Sequence, residues 1–354
     1  MASTYLTLTN NVLRDFNEVE LTSSNFGSSR GVQTVVKDYI NRSITDILNS
    51  EMNWPFTRAE GSVDVIAGKQ LYSHASIAST LKYVDYDNMF LKPKDYITNG
   101  NFEIAGTASI TNWTTVSGSP AASSKFGNTL LLTSAEASQE VSDLIVGRSY
   151  VIITQTSGAT LTLAVGTSSG GSQTKSSTLT ISSGNEVLLS ETTFTATATT
   201  HYVSFTEAAG SAAFVKLVEL SEDVASIPLK YLSYEEYNES FRERDSRPDT
   251  DKFADPEYVY TTYNNEIGLT PIPDTSNRTL EFDYYVSHTD LSGATDTSII
   301  PTRFEPVINS RAKYYTHIFR SDVQSAQFSL KEYDDGIKRM RVELLNRKNY
   351  MRAV

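Results

Sequence analysis

Cysteine is absent from the 354 residues, which excludes a disulfide framework, a thiolate metal site and a cysteine nucleophile. Positive charge is scarce as well. The 30 Lys and Arg residues against 42 Asp and Glu give a net charge of −12, which disfavours a general electrostatic grip on nucleic acid. No stretch of about 18 apolar residues occurs, and the first residues lack the pattern of a signal peptide. The sequence therefore predicts an unexported protein with no membrane segment.

The motifs of the common enzyme classes are absent too. The four histidines are His74, His201, His288 and His317. None of them shows the paired spacing of a zinc motif, and no nucleophile elbow, P-loop or dinucleotide fingerprint occurs. The Gly170-Gly171 pair lies between predicted strands, so a hairpin turn is favoured over a phosphate cradle. We therefore expect no catalytic residue, no cofactor site and no metal site, and we expect that the protein is not an enzyme.

Two groups of carboxylates are the remaining candidates for chemistry. They are the loop residues Asp245, Asp249, Asp251 and Asp255, and the pair Asp85 and Asp87. Oxygen-rich loops attract hard cations, yet the first group lacks the spacing of the twelve-residue calcium loop. A solvated loop is the favoured interpretation, and nothing specific supports a glycosidase-like pair of carboxylates.

Composition changes abruptly near residues 97 and 222. Between these points 43 of 125 residues are Ser or Thr and only four are Lys or Arg, whereas the flanks hold the other 26 basic residues. Such a change predicts one domain inserted into another. We expect a body formed by residues 1–96 and 222–354, and an insert formed by residues 97–221.

The first flank is predicted to begin with two helices. Leu6, Val12 and Leu13 lie near one face of the first helix, and residues 31–51 keep the i, i+3, i+4 spacing of a buried stripe. Because Pro55 disfavours helix at the residue before it, the second helix is expected to end near Trp54-Pro55-Phe56. Alternating residues between 58 and 92 predict short strands.

The insert is predicted to be all β. Its β-branched or alternating runs are 129–133, 150–155, 160–165, 178–181, 187–194, 201–205 and 214–220. Gly and Ser turns separate many of them, and roughly eight strands in such a segment are typical of a two-sheet sandwich or jelly roll. A disordered Ser/Thr-rich linker is the alternative, which the orderly apolar alternation disfavours.

The second flank returns to mixed structure. Ser233 and Glu236 predict a capping box that opens a short helix to about Arg244, and strands are expected near 258–263, 267–270 and 280–286. Thr302 and Glu305 predict a second capping box and a further helix. The buried stripe expected for that helix is Phe304, Val307, Ile308, Tyr315, Ile318 and Phe319.

The last helix is predicted to run from about 324 to 350. Its apolar residues recur in steps of four and three, so one face should pack on another helix: Ala326, Leu330, Tyr333, Ile337, Met340 and Leu344. Gly336 weakens its interior by roughly 1 kcal/mol. The basic residues near its end are Lys338, Arg339, Arg341, Arg347, Lys348 and Arg352. They are either solvated beside the helix dipole or in contact with an acidic partner surface, with DNA-facing placement a lesser alternative.

Together these patterns predict an α+β fold: a discontinuous helical bundle with a small β-subdomain, plus an inserted all-β jelly roll or sandwich.

Short motifs in the two flanks occur in the same order as in a known family of proteins. They are Leu8-Thr9-Asn10-Asn11-Val12-Leu13-Arg14, Glu18-Val19, Trp54-Pro55-Phe56, Leu232-Ser233-Tyr234-Glu235-Glu236-Tyr237, Pro256-Glu257-Tyr258, Leu269-Thr270-Pro271-Ile272-Pro273-Asp274, Phe282-Asp283-Tyr284-Tyr285 and Ile299-Ile300-Pro301-Thr302-Arg303-Phe304-Glu305. In this order they resemble the head-to-tail adaptors of short-tailed bacteriophages (tail tubular protein A, or gatekeeper, family), except that Asn17 stands where a Gly is common.

The resemblance implies a virion protein of the neck that is assembled in the host cytoplasm. It implies a dodecameric ring docked under the portal protein, with the bundle lining the ring and the terminal helix embracing the portal. The six basic residues at and beyond the end of the last helix are then candidates for binding the portal. The tail nozzle protein and tail fibres would attach below, and DNA would pass through the channel without specific binding.

The insert has a resemblance of its own. Asn99-Gly100-Asn101-Phe102-Glu103, Trp113, Gln139-Glu140-Val141 and the closing residues 213–220 resemble galactose-binding-like carbohydrate-binding modules. Lys216 and Leu217 stand where such modules often carry paired aspartates, and the aromatic residues that could stack on a sugar occupy core positions. The insert is therefore expected to decorate the ring and to contact fibres or the host surface. The alternative function is a carbohydrate- or receptor-binding module anchored to a fibre, and an unrecognised enzyme is the third.

Overall fold

The computed structural model describes residues 3–181, 187–247 and 253–345. The fold is α+β, as predicted, and its buried apolar residues form three separate hydrophobic clusters. The helices are α1 (Tyr5–Asp15), α2 (Val32–Ser50), α3 (His74–Ile77), α4 (Tyr234–Ser240), α5 (Arg242–Asp245), α6 (Glu305–Phe319) and α7 (Val323–Leu344). Short 3-10 turns occupy Phe26–Ser28, Pro55–Thr57 and Thr302–Phe304.

The two sequence flanks meet in one helical body. Its cluster joins buried residues of α1 and α2 to buried residues of α6 and α7, so the predicted discontinuous bundle is confirmed. Asn41 of α2 binds the backbone of Leu291 through both amide atoms, at 3.0 Å each. Trp54, with an exposed fraction of 1%, closes the end of α2 by donating its indole N–H to the Ile47 carbonyl at 2.9 Å.

The β-subdomain consists of two four-stranded sheets that enclose the second cluster. Its strands are β1 (Arg58–Asp64), β2 (Leu71–Ser73), β3 (Leu81–Pro93), β16 (Ile227–Pro228), β17 (Lys230–Leu232), β18 (Tyr258–Thr261), β19 (Glu266–Thr270) and β20 (Arg278–Val286). The orders are β1-β20-β3-β16 and β17-β18-β19-β2. The prediction of only short strands before residue 92 was wrong for β3, because a bulge after Asp85 lets one long strand continue along β20.

The insert is a sandwich of two five-stranded sheets around the third cluster, with a small hairpin beside them. Its strands are β4 (Glu103–Ile104), β5 (Thr107–Ala108), β6 (Thr114–Ser117), β7 (Ala121–Ser123), β8 (Thr129–Leu132), β9 (Ala135–Val141), β10 (Ser149–Gly158), β11 (Leu161–Gly166), β12 (Lys175–Leu179), β13 (Val187–Thr195), β14 (His201–Glu207) and β15 (Ala213–Glu222). The sheet orders are β13-β10-β15-β8-β7 and β12-β11-β14-β9-β6, which together exceed the eight strands predicted.

Two predictions about α6 were wrong. The helix begins at Glu305 after a 3-10 turn, so Thr302 lies too early to cap it, and no side chain caps its amides. The Glu305 carboxylate binds Ser3 instead, accepting from its backbone N–H at 2.7 Å and its hydroxyl at 2.6 Å. Ile318 and Phe319 are exposed, because α7 begins to pack against the body only at Ala326.

The last helix is shorter than predicted. Among the described residues α7 ends at Leu344, and Leu345 has the extended backbone angles φ −85° and ψ 142°. Residues 346–350 of the predicted helix lie outside the described part of the chain. Gly336 does not interrupt the helix.

Candidate interaction surface

The two C-terminal helices form an antiparallel hairpin whose close approach depends on glycine. A Cβ atom placed on Gly336 would lie 2.7 Å from a methyl group of Val307, which is closer than side chains tolerate. Ala326, Tyr333, Ile337 and Met340 are buried along the same face of α7. The predicted apolar repeat is thus used inside the chain, and α7 packs on its own body.

A polar cluster joins three helices of the body. The Asp46 carboxylate on α2 accepts hydrogen bonds from Arg311, at 2.7 Å, and from the Tyr315 hydroxyl, both on α6. The Arg311 guanidinium also lies 4.7 Å from the ring centroid of Tyr333 on α7. Burial and the hydrogen bond to Asp46 raise the pKa of Tyr315, and burial raises the pKa of Tyr333 to about 12. Both phenols are therefore neutral at physiological pH.

Three of the six predicted portal-binding residues can be placed. Lys338 pairs with Asp335 at 3.1 Å and Arg339 pairs with Glu343 at 2.7 Å, and both cations remain largely exposed. Arg341 is less exposed, because it pairs with Glu51 at 2.6 Å and donates to the Ser50 carbonyl at 3.2 Å. Its role inside the body is to hold the end of α2. The other three are Arg347, Lys348 and Arg352, which lie outside the described residues.

Several exposed apolar side chains lie at and beside the turn that joins α6 to α7, at the other end of α7 from its basic residues. We call this group the apolar end, and it consists of Val19, Ile318, Phe319, Val323 and Phe328. Their exposed fractions are 76%, 45%, 51%, 59% and 67% respectively. The sequence pattern pointed to Ile318 and Phe319 but assigned them to the core of a single chain.

The charged groups around the apolar end are engaged within the chain. Arg320 forms an ion pair with Glu18, which holds the segment before Val19 against α6. Asp322 accepts from the Ser325 N–H at 3.1 Å, capping α7, and pairs with His317 at 3.3 Å. Hydrogen bonding by Ser325 lowers the pKa of the Asp322 carboxyl. An apolar surface with aromatic residues, whose neighbouring charges are paired within the chain, is typical of a protein–protein interface.

Two of the carboxylates singled out from the sequence bind donors of the chain itself. Asp245 is buried, contrary to the prediction of a solvated loop, and accepts from Gln70 at 2.9 Å and Thr270 at 2.8 Å. Asp255 pairs with Arg278 at 3.1 Å. Asp249 and Asp251 lie outside the described residues. Across residues 3–181, 187–247 and 253–345, no group of three or more His, Cys, Asp or Glu side chains could hold a metal ion.

The insert presents no aromatic face suited to stacking on a sugar. All eight of its aromatic residues are described, and none is exposed: Phe102, Trp113, Phe126, Tyr150, Phe194, Tyr202, Phe205 and Phe214. Phe126 and Tyr202 are half-buried, and the other six are buried. The predicted placement of Trp113, Tyr150 and Phe214 in the core is confirmed.

Part of the outer face of one insert sheet is covered by the chain itself. The turn containing Gly170 and Gly171, predicted as a hairpin turn, joins β11 to β12 and folds back over β9 and β14. Ser169 shares a hydrogen bond of 2.7 Å with Ser138, and the Gly170 N–H donates to Ser204 at 3.3 Å. The small side chains of this face leave room for the turn, which accounts for part of the serine content of the insert.

A shallow groove crosses the outer face of the β-subdomain. It has a volume of about 430 Å³ and lies over β1, β20 and β3, with Phe90 as its exposed apolar residue. Its ion pairs, Arg58 with Asp283 and Lys92 with Glu281, neutralise each other across neighbouring strands. Such an internally paired surface has the character of a solvated sheet face.

The fold and its exposed surfaces define an α+β protein with a split helical body, an inserted β-sandwich and an apolar helical end. The family model described as "SU10 adaptor protein" matches residues 178–354, half of the chain. The chain therefore belongs to the SU10 adaptor protein family, a family of phage adaptors. The matched segment starts within β12 and includes the whole second flank. The prediction of a phage adaptor is confirmed at this level, and the narrower tail tubular A or gatekeeper assignment stays a proposal.

Solved structures similar to the chain include phage and carbohydrate-binding proteins. The enzymatically active domain of tailspike protein 4 from bacteriophage CBA120 is 18% identical with a TM-score of 0.29, over 36% of this chain and 21% of that one. TmCBM61 in complex with β-1,4-galactotriose is 20% identical with a TM-score of 0.29, and the match covers 37% of this chain and 99% of that one. The carbohydrate-binding module CBM36 in complex with calcium and xylotriose is 15% identical with a TM-score of 0.25, and the match covers 31% of this chain and 94% of that one.

No curated protein matches the chain. Within the described residues, no helix combines the length and the apolar character needed to cross a membrane.

Proposed function

We propose that the chain is a structural subunit of the neck of a short-tailed phage, where it forms a ring between the portal protein and the tail nozzle protein. A closed ring of about twelve copies would require one surface of each subunit to meet a different surface of the next. DNA would pass through the channel, and the net charge of −12 favours passage without binding. Assembly of the ring would take place in the host cytoplasm.

The structural observation that carries this proposal is the apolar end of the helical body. Five exposed apolar side chains, two of them phenylalanines, lie at and beside one end of the bundle, and we take them as a surface that another protein covers. Because Arg320 and Asp322 are already engaged within the chain, the surface offers little to DNA or to an anionic membrane. Contact with another protein of the neck would bury the apolar end and remove its side chains from water.

The basic residues near the C-terminus are proposed to bind the portal. Lys338 and Arg339 are exposed and held only by local ion pairs, which are weak and easily exchanged. Arg347, Lys348 and Arg352 add three positive charges beyond Leu345. Arg341 is the least suitable of the six, because its guanidinium holds Glu51 within the body.

The insert is proposed to decorate the ring and to contact tail fibres or the host surface. Its lack of an exposed aromatic residue disfavours stacking on a sugar, so a protein contact is the better proposal. We also propose that the chain has no catalytic role. Binding to a glycan array that disappears when 98–221 are deleted would contradict the first statement, and hydrolysis of a polysaccharide abolished by one carboxylate substitution would contradict the second.

The ring proposal is tested by measuring the mass of the purified chain alone and after mixing with portal rings. We expect the chain to join the portal in a defined stoichiometry. The double variant Phe319→Ser and Phe328→Ser should remain folded, because Phe and Ser have similar helix propensities, yet assemble poorly. Val342→Ser, at another exposed apolar residue of α7, is the matched control and should assemble normally. A wild-type chain that never joins a portal would refute the proposal.

A further inference from the structure

The insert and the β-subdomain are joined through two chain segments but share no apolar core. Their buried apolar residues belong to separate clusters, and the edge-to-face contact of Tyr96 with Tyr150, with ring centroids 5.8 Å apart, is an aromatic contact at the junction. Two units joined in this way are expected to move relative to each other unless something else fixes them. The orientation of the insert therefore depends on the polar groups at the junction.

The outgoing and returning segments are bonded to each other. The Tyr96 N–H donates to the Leu220 carbonyl at 2.8 Å. The Asp95 carboxylate accepts from the backbone N–H groups of Leu220, at 3.0 Å, and Ile97, at 2.9 Å. These bonds hold the segments side by side, but they leave the pair free to bend as a unit, because they all lie within the connection itself.

Glu222 connects the insert to the subdomain. Its side chain is 3% exposed, and one carboxylate oxygen accepts from Arg148, on the turn before β10 of the insert. The other oxygen accepts from the side-chain amide of Asn277, which precedes β20 of the subdomain. A buried carboxylate needs such donors, and hydrogen bonds to a charged group are directional and strong.

A second guanidinium supports the returning segment from the subdomain side. Arg278 is 6% exposed, donates to the Ala225 carbonyl at 3.0 Å and binds Asp255 at 3.1 Å. The Lys94 N–H on the outgoing segment donates to the Asn277 carbonyl at 2.9 Å. Both segments are thus attached to the start of β20, on either side of Glu222.

We infer that the Glu222 cluster, formed by Glu222, Arg148, Asn277 and Arg278, is a clamp that holds the insert in one fixed orientation relative to the body. Without it the paired segments would act as a hinge. The clamp makes the insert a rigid projection of the body. This inference goes beyond the ring proposal and does not depend on it, since the contacts lie within one chain.

The absence of cysteine allows a direct test in the full-length chain. Thr193→Cys on β13 and Gln327→Cys on α7 are exposed positions for a pair of spin labels, whose distance distribution is measured by pulsed electron spin resonance. We expect a narrow distribution for the otherwise unchanged chain. Glu222→Ala should broaden it and shift its mean. Arg148→Ala should broaden it as well, at a cost in stability because the buried Glu222 carboxylate loses its cation, so circular dichroism must show that this variant is folded.

Glu219→Ala is the matched control, because Glu219 is an exposed carboxylate on the same strand. It should leave the distribution narrow. The inference fails if Arg148→Ala and Glu222→Ala keep the wild-type distribution while circular dichroism shows a folded chain. It also fails if the unchanged chain already gives a broad distribution, or if Glu219→Ala broadens it equally.

Discussion

Gly336 determines how closely α6 and α7 approach each other. Alanine has the higher helix propensity by about 1 kcal/mol, so Gly336→Ala would stabilise an isolated helix. In the body its methyl group would lie 2.7 Å from Val307, and overpacking of this kind costs about 1–3 kcal/mol. We therefore expect Gly336→Ala to lower the free energy of unfolding, measured by chemical denaturation. Adding Val307→Ala should recover part of the loss, and a variant more stable than wild type would show that the helices can move apart.

Glu207 makes the stability of the insert depend on pH. Its carboxylate accepts from the backbone N–H groups of Ser134, Ala209, Gly210 and Ser211, at 2.8–3.3 Å. Burial alone would raise the pKa of Glu207, but these four donors outweigh it, so the pKa lies below its ordinary value. A lowered pKa in the folded state means that the stabilisation is complete above the ordinary Glu pKa of about 4.3 and is lost as pH falls through the folded value.

Glu207→Gln should therefore lower the free energy of unfolding by about 2 kcal/mol near neutral pH, because hydrogen bonds to a charged group are the strong ones. The loss should shrink as the pH is lowered below about 4. Thermal melts at several pH values measure both effects. Glu191→Gln, at an exposed residue of β13, is the control and should change little. Equal losses from both substitutions would show that the loop does not depend on the carboxylate.

Residue roles were predictable from sequence where both partners are close along the chain. The capping box of Ser233 and Glu236 is confirmed, because its two hydrogen bonds connect residues three apart. Asp245 was misjudged, because its partners Gln70 and Thr270 are distant in sequence. The same is true of Gly336, whose neighbour is on another helix. Local chemistry can be read from a sequence, whereas a contact between distant segments requires the fold.

The predicted and observed interactions at the start of α6 can be distinguished by experiment. Glu305 binds Ser3 through two short hydrogen bonds, while Thr302 makes no capping contact with the helix. Glu305→Ala should thus lower the free energy of unfolding by about 2 kcal/mol. Thr302→Ala should change it by less than about 0.5 kcal/mol, as for an ordinary surface residue. If chemical denaturation shows that both substitutions lower the free energy of unfolding equally, the predicted capping box of Thr302 and Glu305 would be supported after all.

Elements with a strong period were predicted well. The 3.6-residue pattern located α2 to within a residue at each end, and β-branched runs located β13, β14 and β15. β9 was missed, because its inward positions include small residues such as Ala135 and Ala137 that give little hydrophobic signal. The length of β3 was missed because its bulge interrupts the alternation of side chains. Strands that contain small side chains or a bulge lack a clear hydrophobic alternation in the sequence, and they are recognised only from their pairing in the sheets.

The proposed interaction surface was only partly predictable at the scale of the whole molecule. Net charge and composition led to the basic residues near the C-terminus, of which Arg341 proves to be held within the body. The apolar end was hidden, because Ile318 and Phe319 continue the period of a buried helix face. Periodicity shows which face of a helix is apolar. It does not show whether the same chain or another one covers that face.

The proposed domain boundaries can be tested by removing the insert from the chain. The segments that enter and leave it are held together by the hydrogen bond of 2.8 Å between Tyr96 and Leu220, so a short Gly/Ser linker replacing 98–221 spans the gap. The helical body and the β-subdomain have their own hydrophobic clusters, to which the insert contributes no buried residue. We expect the shortened chain to fold cooperatively, as measured by circular dichroism and thermal melting.

The Glu222 carboxylate affects how the stability of the excised chain is interpreted. Excision removes Arg148 and leaves Asn277 as the described side-chain donor to Glu222, and a carboxylate that loses its cation costs several kcal/mol wherever it stays buried. The excised chain should therefore be compared with its Glu222→Gln version, which removes the charge while keeping a hydrogen-bonding side chain. We expect the second protein to melt at the higher temperature. If both collapse into unfolded chains, the body needs the insert and the boundaries at 97 and 221 are wrong. If only the first collapses, the boundaries stand and the instability comes from the stranded charge.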